Sequence, residues 1–282
     1  MYKTLISASQ LSSQLGASDL VIIDTRFSLN DTNFGRNAYA EGHIPGAQYA
    51  HLDEDLSGEI RPGKTGRHPF PSVEKISKKL SGWGIDNDTQ VVVYDQQHGG
   101  IAARLWFLLK WLGHEKVAVL DGGWANWVAK EYPVIKDLPE VVEKTFTPNA
   151  QPDKLVDVAF MEENLGNSDY IYFDSRAAER YRGEVEPIDP VAGHIPGAIS
   201  APFTDNLNAE GLFKSKEELA VRFLDLLKGR PKGRAVFYCG SGVTACHNLL
   251  AMEHIGLTSP QLYPGSWSEW IINTDRPVAT DG

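Results

Sequence analysis

Cys239 opens a short glycine-rich run, Cys239-Gly240-Ser241-Gly242-Val243-Thr244, which follows an apolar segment and precedes a helical pattern. Cysteine in that setting points to nucleophilic chemistry. Small residues let several backbone N–H groups turn inward on the sulfur, and the positive end of the following helix adds to their field. Both effects favour the thiolate, which is the reactive form. The plainer alternative is a small buried apolar side chain at a strand end, the usual fate of free cysteine. The order strand, cysteine, glycine-rich loop, helix favours the nucleophile. Cys246 falls two turns into the helix and reads as a packed side chain, with a resolving partner for Cys239 as the other option.

Three rival chemistries fail on residue inventory. A cysteine phosphatase needs an arginine six positions after its nucleophile, where this chain has Ala245, and its loop is one residue longer. Gly58-Glu59-Ile60-Arg61-Pro62-Gly63-Lys64-Thr65 spells a phosphate-loop pattern, but Pro62 removes a cradle N–H and Pro69 and Pro71 forbid a prompt helix. It reads as a solvent-facing loop whose Arg61, Lys64 and nearby Arg67 are expected to add positive potential near the cleft. Two cysteines seven apart, with His247, lack zinc spacing, so no metal is expected.

The elements that must carry the cysteine come twice. VIIDTR (Val21–Arg26) returns as IYFDSR (Ile171–Arg176), and GHIPGA at 42–47 returns unchanged at 193–198. VVVYD (91–95) answers AVFYC (235–239), and GGWANW (122–127) answers GSWSEW (265–270). Four matches in one order at a spacing near 150 residues make a tandem duplication. Apolar runs at 20–24, 91–94, 116–120, 170–174 and 235–238 read as buried strands; 73–80, 101–112, 216–227 and 243–255 read as helices, with Gly113, Gly229 and Gly256 at their C-terminal caps. Strands alternating with helices predict an α/β fold in which each copy is a parallel sheet flanked by helices. Ligands in such sheets sit beyond the strands' carboxyl ends. We expect an N-terminal domain over residues 1–138, a proline-bearing linker over 139–154 and a C-terminal catalytic domain over 155–282.

The repeats disagree at one chemical position. Where the second copy has Cys239, the first has Asp95 followed by Gln96-Gln97-His98-Gly99-Gly100. A carboxylate cannot carry sulfur through cysteine chemistry, so the first copy reads as catalytically silent. Features common to both copies, namely His43 with His194, Asp24 with Asp174, and Arg26 with Arg176, then read as architectural.

On the GHIPGA pair, the Asp-Ser-Arg strand end and the cysteine loop, the chain resembles the two-domain rhodanese-type sulfurtransferases over nearly its whole length. The loop is similar to that of the 3-mercaptopyruvate branch, where animal thiosulfate enzymes carry arginine and lysine after the cysteine. The resemblance implies a persulfide on Cys239, formed from 3-mercaptopyruvate or thiosulfate and passed to cyanide, a small thiol or a protein thiol such as thioredoxin, with no cofactor. It implies that Arg182, in YRGEVEP, holds the donor's anionic group, and that Ser241 hydrogen-bonds donor or sulfur. It also implies that Asp53 and His68 handle protons, a pairing chemically apt in itself. The branch's second arginine is replaced by Pro187-Ile188-Asp189-Pro190. Two other readings stand beside this one: a thiosulfate:cyanide sulfurtransferase, and a non-catalytic rhodanese-like interaction or sulfur-relay module.

Composition sets the outer bounds. The chain has 282 residues, 42% hydrophobic and 23% charged, which suits folded domains and excludes wholesale disorder. Its formal charge of −10 argues against a nucleic-acid partner, and capture of an anion must be local. Two cysteines cannot build a disulfide framework and suit a reducing compartment. The N-terminal stretch has no continuous apolar core and the most apolar stretch, 101–112, is short and broken by Arg104 and Lys110, so neither a targeting segment nor a membrane span is expected and the cytoplasm is the default location. The seven tryptophans, several repeat-matched, read as core.

Overall fold

The computed structural model describes residues 1–229, 234–257 and 260–280. They form two compact units. The first comprises Met1–Gly58, Pro71–Gln151 and Ala209–Phe213; the second comprises Glu59–Phe70, Pro152–Asn208 and Lys214–Gly282. The segment Glu59–Phe70, which precedes the first unit's longer helices in sequence, therefore packs with the second.

The first unit is a five-stranded parallel sheet. Its strands β1 (Leu5–Ile6), β2 (Leu20–Asp24), β3 (Ala47–Tyr49), β4 (Gln90–Tyr94) and β5 (Val117–Leu120) lie in the order β1-β5-β4-β2-β3. Helices α1 (Ala8–Ser12), α2 (Phe34–Glu41), α3 (Val73–Gly82), α4 (Ala102–Trp111) and α5 (Gly123–Ala129) connect and cover it. Every residue of β4 is buried, as a central parallel strand covered on both faces requires. Helix α4 is buried along its whole length, Arg104 and Lys110 included, which explains why its sequence shows no polar face.

The second unit repeats the plan with four parallel strands: β6 (Ile171–Asp174), β7 (Ile199–Ser200), β8 (Ala235–Tyr238) and β9 (Gln261–Leu262), ordered β7-β6-β8-β9. Its helices are α6 (Val158–Glu163), α7 (Ala178–Tyr181), α8 (Lys216–Leu227), α9 (Ala245–His254) and α10 (Ser266–Trp270). Helix α8 begins where Ser215 and Glu218 close a capping box, a device worth about 1 kcal/mol. Gly113, Gly229 and Gly256 adopt the left-handed conformation that the cap reading predicts.

The repeated motifs make the same contacts in each unit. Arg26 binds Asp24 through Nε and Nη2 and reaches the Gly42 carbonyl at 2.7 Å; Arg176 does the same with Asp174 and the Gly193 carbonyl at 2.6 Å. His43 stacks on Tyr39 and bonds its carbonyl, as His194 does with Tyr181. The guanidiniums of Arg26 and Arg176 lie over Trp124 and Trp267. Burial pushes the Asp24 carboxyl up despite its arginine, so the pair holds the strand end to the turn and offers no accessible acid or base. Trp127, Trp267 and Trp270 are fully buried, and the indoles of Trp127 and Trp270 donate to the carbonyls of Pro133 and Pro277.

Candidate functional site

Strand β8 delivers Cys239 to the carboxyl edge of the second sheet, where the residue is 1% exposed. Its backbone is held on both sides by α10. The Cys239 N–H donates to Ser266 Oγ at 3.1 Å, the Trp267 N–H donates to the Cys239 carbonyl at 3.0 Å, and the Ser268 N–H donates to the Gly240 carbonyl at 2.9 Å. Ser266 is buried and stands at φ 55°, a conformation that costs a non-glycine residue about 1 kcal/mol or more. Its hydroxyl also donates to the Tyr263 carbonyl.

The loop residues Gly240, Ser241, Gly242, Val243 and Thr244 then turn the chain into α9. Gly242 has φ 73°, and a Cβ there would fall 2.3 Å from the Pro264 carbonyl oxygen, so only glycine fits. Helix α9 starts two residues later than its apolar pattern predicts, because Val243 and Thr244 are still in the turn. Cys246 is buried in α9, with its thiol 3.5 Å from the Gly242 carbonyl, the packed role expected of it.

His68, on the segment that packs with the second unit, meets Ser241: Nδ1 and Oγ lie 2.7 Å apart and both residues are buried. The backbone N–H of neighbouring Arg67 donates to Ser268 Oγ, so α10 holds this segment as well as the cysteine. Asp53 belongs to the first unit, where it is half-buried and its N–H donates to His51 Nδ1.

Two guanidiniums, Arg67 and Arg180, stand over the loop. A Cβ on Gly240 would lie 3.1 Å from Arg67 Nη2 and 3.7 Å from both terminal nitrogens of Arg180. Neither is Arg182, the arginine expected to hold the donor. Arg182 caps the C-terminus of α7, has a side chain 38% exposed, and forks onto Glu184 with both bonds at 2.8 Å. Two positions along so short a helix turn a side chain roughly 200° away, which puts Arg180 and not Arg182 on the loop side. The repeats do not separate the two arginines: Tyr181 stacks as Tyr39 does, which aligns Arg180 with Ala38 and Arg182 with Ala40. Of the three basic residues near the phosphate-loop-like run, Arg61 and Lys64 are exposed on a turn and only Arg67 reaches the loop.

Buried carboxylates hold these arginines. Glu186 accepts from Arg180 Nε and Nη2 and from Arg176 Nη1, and Asp189 accepts from both Arg67 and Arg180. Burial alone would raise the Glu186 carboxyl; the hydrogen bonds from Arg180 and from the Asp189 N–H carry it below its usual range. Arg176 is raised in spite of burial by the charge of Asp174. The result is an alternating chain, Asp174–Arg176–Glu186–Arg180–Asp189–Arg67, running from the strand end to the loop.

The corresponding loop of the first unit is filled by its own side chain. Asp95 Oδ1 accepts from the N–H groups of Gln97 and Gly99, and Oδ2 from those of Ile101 and Ala102, at 2.9 to 3.2 Å. Trp124 and Ala125 bond the carbonyls of Asp95 and Gln96 as α10 does in the other unit, with Gly123 at φ 55° where the second unit has Ser266. Among the described residues no cluster of histidine, cysteine or carboxylate side chains could hold a metal ion, and no helix is long and apolar enough to cross a membrane.

The geometry can be set against known proteins. A family model described as the rhodanese-like domain matches residues 7–130 and again 157–273. A protein of Pseudomonas aeruginosa named as a probable 3-mercaptopyruvate sulfurtransferase is 49% identical, covering 98% of each chain. A Mycobacterium tuberculosis protein named as a putative thiosulfate sulfurtransferase is 36% identical over 98% of this chain and 96% of its own. An Escherichia coli crystal structure described as a 3-mercaptopyruvate sulfotransferase superposes with a TM-score of 0.81 at 30% identity, covering 95% of this chain and all of the other.

Proposed function

The chain belongs to the rhodanese-type sulfurtransferases, and from that premise we propose that it takes sulfur from 3-mercaptopyruvate onto Cys239 and passes it to a thiol or cyanide. The observation that carries the choice of donor is the buried His68–Ser241 hydrogen bond beside the cysteine. The Cys239 thiolate attacks the thiol sulfur of the donor. The carbon–sulfur bond breaks with its electron pair going to carbon, which leaves a Cys239 persulfide and the enolate of pyruvate. That enolate needs a hydrogen bond at its oxygen as charge develops and a proton at carbon to become pyruvate. The Ser241 hydroxyl, backed by His68, supports the first need, and the imidazole is a proton source for the second. Thiosulfate would leave as sulfite, which needs neither. Arg180 and Arg67, whose terminal nitrogens lie by Gly240, take the donor's carboxylate, the planar anion that a guanidinium binds best. The acceptor, a small thiol, cyanide or a protein thiol such as thioredoxin, then attacks the outer sulfur and returns the thiolate. A reducing compartment such as the cytoplasm keeps that thiolate available.

The test compares kcat/KM for 3-mercaptopyruvate and thiosulfate with cyanide as common acceptor. Mercaptopyruvate is expected to be preferred. His68→Ala and Ser241→Ala should each lower the mercaptopyruvate rate by about a hundredfold, the usual size of a lost acid–base group, while largely sparing thiosulfate. Cys239→Ser should abolish both. Equal losses with the two donors in the His68 and Ser241 variants, or turnover in Cys239→Ser, would overturn the reading.

A further inference from the structure

Asp189 lies on the irregular segment between α7 and β7, yet its side chain is only 3% exposed. One oxygen, Oδ1, takes Arg67 Nη1 at 2.5 Å, and the other, Oδ2, takes Arg180 Nη2 at 3.2 Å. Its own N–H donates to Glu186 Oε1, which also binds Arg180, so the carboxylate is itself fixed. Arg67 Nη2 and Arg180 Nη1 take part in none of these bonds and both stand over Gly240, while Arg67 Nε is buried without a partner among the described residues. One carboxylate therefore sets the spacing and the facing of two cations that come from segments far apart in sequence.

The same carboxylate sets their charge. Arg67, Arg176 and Arg180 are balanced by Asp174, Glu186 and Asp189, so the cluster is neutral as a whole. A donor with one carboxylate leaves it with a single negative charge, whereas a dianion leaves it with two. In a half-buried site the second charge is the more costly.

We infer that Asp189 is a positioning residue that also selects donors by charge, holding Arg67 and Arg180 for one carboxylate while keeping the site too nearly neutral for a dianion. This rests on the reading of the Cys239 loop as the sulfur-transfer site. Asp189→Asn loosens the clamp and adds one unit of positive charge. It should raise KM for 3-mercaptopyruvate more than it lowers kcat, and should move the ratio of kcat/KM for thiosulfate over mercaptopyruvate upward by about tenfold, the size expected of one partly screened charge. Asp189→Glu keeps the charge, so it should weaken both donors and leave the ratio in place. Ile188→Lys adds the same charge at a neighbour 43% exposed and should shift the ratio in the same direction by a smaller factor. A structural role alone would lower both donors together. An unchanged ratio in both Asp189→Asn and Ile188→Lys overturns the inference, as does an unchanged ratio in Ile188→Lys if Asp189→Asn does not fold. A wild-type protein that transfers sulfur from neither donor would instead overturn the underlying function.

Discussion

At the end of β4 the chain puts a carboxylate into its loop, and at the end of β8 it puts a thiol into the equivalent one. The backbone around each is held alike: the N–H groups of Trp124 and Ala125 bond the carbonyls of Asp95 and Gln96 in one case, and those of Trp267 and Ser268 bond the carbonyls of Cys239 and Gly240 in the other. The Asp95 loop shows what such a turn is built to surround. Four N–H groups converge on one negatively charged side chain, each a charge-assisted bond stronger than a neutral one. That is the setting in which a cysteine sulfur is most stable as an anion. The first unit closes its cradle permanently with a residue that can neither leave nor react. The second, one residue shorter and rich in small side chains, keeps a cysteine there, with Arg67, Arg180 and the His68–Ser241 pair around its loop.

The hardest test of this equivalence is to copy the silent loop into the active one. Cys239→Asp must lose sulfur transfer completely, because no persulfide can form. Stability is what discriminates. If the loop is an anion cradle, Cys239→Asp should be at least as stable toward denaturant as Cys239→Asn, which has the same shape without the charge. In an ordinary apolar pocket the buried carboxylate would instead cost several kcal/mol. A midpoint for the aspartate variant far below that of the asparagine variant would break the comparison.

The converse substitution, Asp95→Asn, removes a charge that four amides share and turns an NH2 group toward donors. The first unit should lose about 3 kcal/mol, from weakened charge-assisted bonds and orphaned buried donors, visible as an earlier unfolding transition. Sulfur transfer by folded protein should be unchanged if the first loop is silent, as a carboxylate at the cysteine position implies. A loss of transfer that tracks no loss of fold would assign the first loop a role beyond architecture.

How far this contrast could be read in advance depended on whether a feature was local. Strand β2 and helix α8 have the bounds that their apolar patterns predict, and the Asp95–Cys239 disagreement was visible from the repeat alignment alone. The cysteine and its glycines are local too: loop, strand and helix are contiguous, and Gly242 is required by one close approach to Pro264. Arg180 and not Arg182 lies by the loop, and a four-residue helix gives too little periodicity to say from sequence which of two basic residues faces inward. Arg67 could be read only as one of three sources of positive potential, since its partner Asp189 lies 122 residues away and only tertiary packing joins Glu59–Phe70 to the second unit. The stretch Pro187-Ile188-Asp189-Pro190, which lacks the second arginine, is met by Arg67 from that distant segment, a contact no spacing rule could anticipate.

The subtlest difference between the loops lies at Ser266, where the first unit has Gly123 at the same φ of 55°. Glycine is required in the first unit, because a Cβ there would come 2.6 Å from the Asp95 carbonyl. The second unit accepts the strain of a serine and gains a hydroxyl that takes the Cys239 N–H and donates to the Tyr263 carbonyl. Ser266→Gly therefore relieves about 1 kcal/mol of backbone strain and forfeits hydrogen bonds of similar worth, leaving the melting temperature nearly unmoved. The nucleophile, however, loses the contact that fixes its amide. A small loss of alignment is costly to a displacement at sulfur, so kcat should fall by about five- to tenfold with KM little changed. Ser266→Ala keeps the strain without the hydroxyl and should lose both stability and rate. If Ser266→Gly gained stability at full activity, the serine would hold nothing that the reaction uses, and the two turns would differ only in how much strain each tolerates.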